Sequence, residues 1–242
     1  MRLLFIRHGD PNYEIDGLTE TGKREAELLS DRIAPMEIKG YFVSTMGRAL
    51  ATARPTLEKA GRTAEECDWL REFSVGVRRP DCDGLSHVPW DWLPQDWSKS
   101  PLLLDREHWH EHPVFAEKDL KSRYDRVIAG FEAVLARHGY VRDGLCYRVE
   151  HGNSDTLAFF CHFGVTCVLM SRLMNVSPMV LWHGMAMAPT SVTTVYSEER
   201  RPGIASFRAA AIGDISHLYA HGQAPSFSAR FCEVYGNGDR VD

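Results

Sequence analysis

The chain has 242 residues, 44% of them hydrophobic and 25% charged, which excludes a disordered or fibrous polymer and leaves an ordinary globular protein. Its 28 Lys and Arg against 33 Asp and Glu give a net charge of -5, which excludes a general nucleic-acid or anionic-membrane surface. Any anion the protein binds must therefore meet a local group of cations.

The first element is a short apolar run, Leu3-Leu4-Phe5-Ile6, of the kind covered on both faces in a parallel sheet. It stops at Arg7-His8-Gly9-Asp10-Pro11. With only four apolar residues between two arginines, this N-terminus is too short for a signal peptide. A helix should start near Thr19, with Thr19 or Thr21 as cap, because Ala26, Leu28, Leu29 and Ile33 follow at helical spacing. A second strand is expected at Tyr41 to Ser44, and a second helix at Ala49 to Ala60, where Pro55 should bend it or end its first segment.

A short strand is expected between Arg62 and Cys67, after which the sequence changes character. Val77 to Lys118 holds four of the six tryptophans, punctuated by proline and without periodicity, and reads as an ordered insertion that covers something. It could be a small aromatic core packed at the sheet edge, or a lid shaping a pocket. Regularity resumes in a helix at Asp119 to His138. An edge strand at Cys146 to Val149 and a buried strand at Thr156 to Cys161 come next, the latter ending in His162-Phe163-Gly164. A helix through Val165 to Met174 and strands at Ser191 to Tyr196 and Ala205 to Ala211 complete the series. The expected fold is one α/β domain spanning 1–242: a three-layer sandwich with a mostly parallel sheet between helices, elaborated at about 77–118.

The stretch from Leu157 to Met170 is interrupted by His162 and Gly164 and is shorter than the roughly 18 uncharged residues of a membrane span. The six cysteines show no CxxC pair and read as reduced thiols, not as a disulfide framework or zinc site. A cytoplasmic protein is expected.

In such sheets functional loops follow the carboxyl ends of the strands, and His8, His162 and, a few residues on, Arg48 all stand there. Forked guanidiniums suit a tetrahedral dianion, and an imidazole can attack phosphorus to give a phosphohistidine. The departing alkoxide then needs a nearby carboxylic acid.

Arg7-His8-Gly9 at the end of the first strand resembles the signature of the histidine phosphatase superfamily, the phosphoglycerate mutase-like fold. Further similarities follow in order. Leu18-Thr19-Glu20-Thr21-Gly22 is similar to the family's LTxxG helix entry, and Ser44 to Ala53 follows its S-x-x-x-R-A-x-x-T-A pattern. Glu72-Phe73-Ser74-Val75-Gly76 resembles its acid loop, His162 with Gly164 its second histidine, and Gly213-Asp214 with His217-Leu218 its closing strand and turn. The resemblance implies that His8 is the phosphorylated nucleophile. It makes Arg7, Arg48 and His162 the holders of the phosphoryl oxygens and Glu72 the general acid that later activates water, with no metal or other cofactor. The family often has HGG or HGN at this second histidine, and here Phe163 stands at the middle position. The tryptophan-asparagine pair and basic segment of the mutase branch are missing, so the resemblance favours a phosphatase acting on a small phosphorylated metabolite. Mutase-type transfer and a phospholigand-binding protein without turnover are the alternatives.

Asn12, His87 and Trp90 are candidates for the substrate pocket. His108-x-His110-x-His112 lacks the accompanying ligands of a metal site, Asp81-x-Asp83-Gly84 reads as a turn, and Asn175-Val176-Ser177 matches a sequon by letters only. The letters do not give the natural substrate or the oligomeric state, a homodimer being one option.

Overall fold

The computed structural model describes residues 1–242 apart from 82–85, 116–118, 229–232, 235–236 and 241–242, with the side chains of 86–87, 233–234 and 237–240 also outside the description. Eight strands form its main sheet: β1 (Arg2–Arg7), β2 (Gly40–Ser44), β3 (Glu65–Cys67), β4 (Tyr140–Asp143), β5 (Cys146–Val149), β6 (Thr156–Cys161), β7 (Val192–Arg201) and β8 (Ile204–Asp214). Their spatial order is β3-β2-β6-β1-β7-β8-β5-β4. The pairs from β3 to β1 are parallel and those beyond are antiparallel, which leaves six of the eight strands pointing the same way. The expected mostly parallel sheet is thus present, with an antiparallel extension on one side.

Apolar side chains alternate between the two faces of β1 and β6, and both faces are covered. Leu3, Phe5, Leu157 and Phe159 join residues of α3 (Leu120–Arg137) and α4 (Phe163–Met174). Leu4, Ile6, Ala158 and Phe160 join Leu29 and Ile33 of α1 (Glu20–Ile33) and Ala49 and Ala53 of α2 (Gly47–Ala60). Phe159 lies at the centre of its layer, stacked on Phe42 with ring centroids 4.9 Å apart and packed on Phe5 and Phe131 at 5.4 and 5.8 Å. Truncating such a ring costs about 3–5 kcal/mol, so this layer fixes the strand ends from which the site is built.

Several elements differ from expectation. Helix α2 runs unbroken across Pro55, because Ala49, Thr52, Ala53 and Thr56 are buried on both sides of it and their packing offsets the single lost N–H bond. The edge strand is β4, not β5, which lies one place inward between β8 and β4. Helix α5 (Pro178–Gly184) was not expected at all. Its start was legible, however, since Ser177 accepts a hydrogen bond from the Met179 N–H and Pro178 occupies the first turn.

Within 77–118, Pro89, Pro94 and Pro101 each open a single helical turn. Trp92, Trp97 and Trp109 are buried in the same cluster as the sheet, with Trp109 edge-on to Trp182 of α5 at 5.5 Å. The aromatics therefore extend the main core and do not form a separate one. Among the described residues no helix is long and apolar enough to cross a membrane.

Candidate active site

Parallel pairing places the ends of three strands side by side. Arg7 is in register with Cys161, and the His8 N–H donates to the Cys161 carbonyl at 3.0 Å, so His8 and His162 emerge from adjacent strands. Their ring centroids are 5.2 Å apart. Ser44 closes β2 on the other side of β6, and its Oγ lies 2.9 Å from His162 Nε2. Arg48 follows in the first turn of α2.

His8 is buried and its Nδ1 lies 2.8 Å from the Gly9 carbonyl oxygen. A carbonyl only accepts, so Nδ1 carries the proton and Nε2 keeps its lone pair. Burial is the main force holding the His8 imidazole well below its usual pKa, and Arg7 and Arg48 push in the same direction. Burial likewise lowers His162, with His8, Arg48, Arg7 and Arg71 adding to the effect. Both rings are neutral at pH 7.

The two arginines are fixed by partners that leave donors unused. Arg7 Nη1 donates to the Met187 carbonyl and, at 3.3 Å, to the Ser228 carbonyl. Arg48 Nη1 donates to Asp16 Oδ1 at 2.6 Å, and Asp16 Oδ2 accepts from the Gly47 N–H at 2.7 Å, so one carboxylate anchors both the side chain and the start of α2. The Arg48 guanidinium also sits 5.5 Å from the centre of the Tyr13 ring. Arg7 Nε, Arg48 Nε and His162 Nδ1 are buried without a hydrogen-bond partner among the described residues. Buried donors are ordinarily paired, and three such atoms on the same few residues suit an anion with several oxygens.

Glycine is required at two close approaches. A Cβ on Gly22 would stand 2.2 Å from the Asp10 carbonyl oxygen, so only glycine lets the first turn of α1 reach the loop after His8. Thr19 caps that turn by accepting from the Gly22 N–H at 3.0 Å and donates to Asp10 at 2.7 Å. A Cβ on Gly164 would stand 2.7 Å from Glu72 Oε1 and 2.9 Å from the Trp90 ring. Gly164 is thus the residue that lets the acid loop and Trp90 press against the start of α4.

Glu72 Oε1 accepts from the Phe73 and Val165 N–H groups at 2.8 and 3.0 Å. Donors at a helix N-terminus normally favour the carboxylate. Here burial outweighs the N–H groups of Val165, Gly164 and Phe73 and raises the Glu72 carboxyl above its ordinary pKa.

Arg7, His8, Arg48 and Glu72 line one cavity of about 480 Å³, together with Tyr13, Met46, Arg71, Ser74, Val88, Trp90 and Phe163. Trp90 stands edge-on to Phe163 at 5.4 Å. Asn12 is not among the lining residues, because its side-chain oxygen is turned into its own loop and accepts the Glu14 N–H at 3.1 Å. The His87 side chain lies outside the described residues. His108, His110 and His112 do not converge: His108 bonds to Asp105, His112 accepts the Val114 N–H, and His110 packs on Trp109 and Tyr124.

Sequence reasoning missed Ser44 as the partner of His162, Asp16 as the anchor of Arg48, and Tyr13, Met46 and Arg71 as cavity walls. Ser44 was the first letter of the quoted S-x-x-x-R pattern and could have been found. Asp16 sits at a positive φ of 45° in a hairpin between Pro11–Asn12 and Gly17–Leu18, where no periodicity announces it.

Known proteins resemble this chain in fold and in sequence. A phosphoserine phosphatase from Entamoeba histolytica, solved with phosphoserine, superposes with a TM-score of 0.59 at 16% identity over 90% of this chain and 98% of that one. A mycobacterial glucosyl-3-phosphoglycerate phosphatase gives 0.57 at 20% identity over 88% of this chain and 98% of that one. These likenesses show the fold. In sequence, 98 residues are 33% identical to a Schizosaccharomyces pombe protein named "Probable phosphatase C1687.21", covering 36% of this chain and 45% of that one. The chain thus spans less than half the length of that curated relative. The profile of the histidine phosphatase superfamily (branch 1) matches residues 3–209, and the chain belongs to that family.

Proposed function

We propose that the protein is a phosphomonoesterase that hydrolyses a small phosphorylated metabolite in the cytoplasm through a phosphohistidine at His8. The observation that carries this reading is the His8 ring itself, neutral, with Nδ1–H tied to the Gly9 carbonyl and Nε2 unprotonated beside two buried guanidiniums. Lowering the pKa of His8 makes its lone pair available at neutral pH, which a nucleophile requires.

In this reading Arg7, Arg48 and His162 hold the three non-bridging oxygens of the phosphoryl group, and their charge offsets that of the transition state. Nε2 of His8 attacks phosphorus as the P–O bond to the leaving group breaks, and the Glu72 carboxyl gives its proton to the departing oxygen. Glu72, now a carboxylate, takes a proton from water as that water attacks the phosphohistidine. The P–N bond breaks, inorganic phosphate leaves and both residues return to their starting states. The segment 77–118 serves as the leaving-group wall through Val88 and Trp90. The relatives named for phosphoserine and glucosyl-3-phosphoglycerate support a small phosphate ester as substrate. The net charge of -5 argues against nucleic acid and anionic membranes as partners.

The test is to incubate the purified protein with a panel of phosphomonoesters in excess EDTA and measure inorganic phosphate. Release matching alcohol formed, unaffected by the chelator, is expected. Phosphate that moves to a second hydroxyl without release would instead make the protein a mutase. Binding of phosphate esters with no turnover of any of them would make it a binding protein.

A further inference from the structure

The cavity contains a third guanidinium to which the hydrolytic mechanism gives no task. Arg71 precedes Glu72 in the chain, and both line the same cavity. Its Nη1 donates to Thr45 Oγ1 at 3.2 Å, and Thr45 in turn donates to Asp68 at 3.3 Å. Arg48 is neutralised by Asp16 at 2.6 Å, whereas Arg71 has no carboxylate within ion-pair distance among the described residues. Arg71 is solvent-exposed, which leaves most of its donors available to the cavity.

Its position sets what it can touch. Burial lowers the pKa of His162, and Arg71 adds to the effect after His8, Arg48 and Arg7. It also borders a neighbouring cavity of about 290 Å³ that Glu72 shares. Arg71 therefore lies beside the acid that protonates the leaving oxygen, on the leaving-group side of the site. The remaining wall there, Tyr13, Met46, Ser74, Val88, Trp90 and Phe163, offers no second cation.

We infer that Arg71 is a specificity-determining residue that binds a second anionic group on the leaving alcohol, so that preferred substrates are phosphate esters carrying a carboxylate or another phosphate. This rests on the phosphomonoesterase reading and names the substrate class of the same site. On a protein of net charge -5 such a substrate meets repulsion at the surface, and one unneutralised arginine at the site compensates locally.

The test compares two esters that differ at one terminal group, glycerol 3-phosphate with its hydroxymethyl and 3-phosphoglycerate with its carboxylate, with propanediol bisphosphate as the two-phosphate arm and p-nitrophenyl phosphate as the aryl reference whose leaving group carries no second anion. Arg71→Ala should lower kcat/KM for the doubly anionic esters by about 10- to 100-fold, mainly through KM, as loss of a charge-assisted hydrogen bond does. The two neutral-alcohol esters should change by less than about twofold, and Arg71→Lys should restore part of the loss, since it keeps the charge but not the fork. Arg126→Ala, which removes a charge from the neighbouring cavity alone, should leave the selectivity unaltered. Whichever anionic ester responds more identifies the second group as carboxylate or phosphate. Equal loss on all four esters, or none on the anionic pair, would overturn the assignment while leaving His8-dependent hydrolysis of p-nitrophenyl phosphate intact. If the wild type turns over no ester at all, the hydrolase reading fails and the role of Arg71 falls with it.

Discussion

Replacing His8 with alanine should reduce kcat/KM for every phosphate ester by about 10⁴-fold or more, because without the covalent nucleophile water must displace the leaving group directly and no residue is left to form the bond to phosphorus. The loss should not depend on the leaving group, since the bond to phosphorus is missing whatever departs. Binding should persist. Arg7 is held by Met187 and Ser228 and Arg48 by Asp16, and none of these contacts involves the His8 ring, so phosphate or vanadate should still protect the variant against heat. Phosphate release by His8→Ala above about a hundredth of the wild-type rate would mean that water attacks directly.

Glu72→Gln should produce the second-largest effect, with a different signature. A general acid contributes about 10²- to 10⁴-fold where the leaving oxygen is basic and little where it is not. Alkyl phosphates should therefore slow by about that factor, whereas aryl phosphates such as p-nitrophenyl phosphate should slow far less in the phosphorylation step. The pH profile should change in a defined way. His8 is active as the neutral ring, and its pKa is lowered, so the acid limb of kcat/KM should lie below the ordinary histidine value of 6.5. Glu72 is active as the protonated acid in the first step, and its pKa is raised, so activity should persist above the ordinary value of 4.5 and fall as pH passes the raised value. Glu72→Gln should abolish that upper limb and leave the lower one. Stability separates this from unfolding. A carboxyl raised on folding favours the folded state most below its unfolded pKa, an advantage lost as pH rises through the folded value, so at pH 7 the amide should leave Tm unchanged or higher. Equal slowing of alkyl and aryl esters, with the upper limb retained, would remove Glu72 from the acid role.

Much of this site was legible because it is built from strand ends. The apolar run before Arg7 and the one before His162 are buried on both faces, and parallel pairing in register obliges the residues that follow them to sit side by side. Arg48 was legible for a related reason, standing a few residues beyond the end of a third strand of the same kind. Glu72 had weaker local support. It lies in a loop without periodicity, and its place beside Val165 and Gly164 depends on a glycine 92 positions later that leaves room for its carboxyl. The pocket walls were least legible. Asn12 and Tyr13 are neighbours in one hairpin, yet the Asn12 side chain turns to its own loop while Tyr13 covers Arg48, a difference of side-chain direction that composition does not encode. The tryptophans of 77–118 announced burial, and the structure adds that they join the main core, so Trp90 is held against Gly164 and Phe163 by the packing behind it.

A phosphohistidine at His8 can be trapped by mixing the protein with a ³²P-labelled phosphomonoester, quenching within the first turnovers and mapping the label. The expected result is an acid-labile, base-stable phosphoryl group on the peptide containing Arg7-His8-Gly9, formed in the presence of EDTA and accumulating in Glu72→Gln when an aryl ester is used. A protein that turns over substrate while carrying no label, or carries it on any residue other than His8, would contradict it.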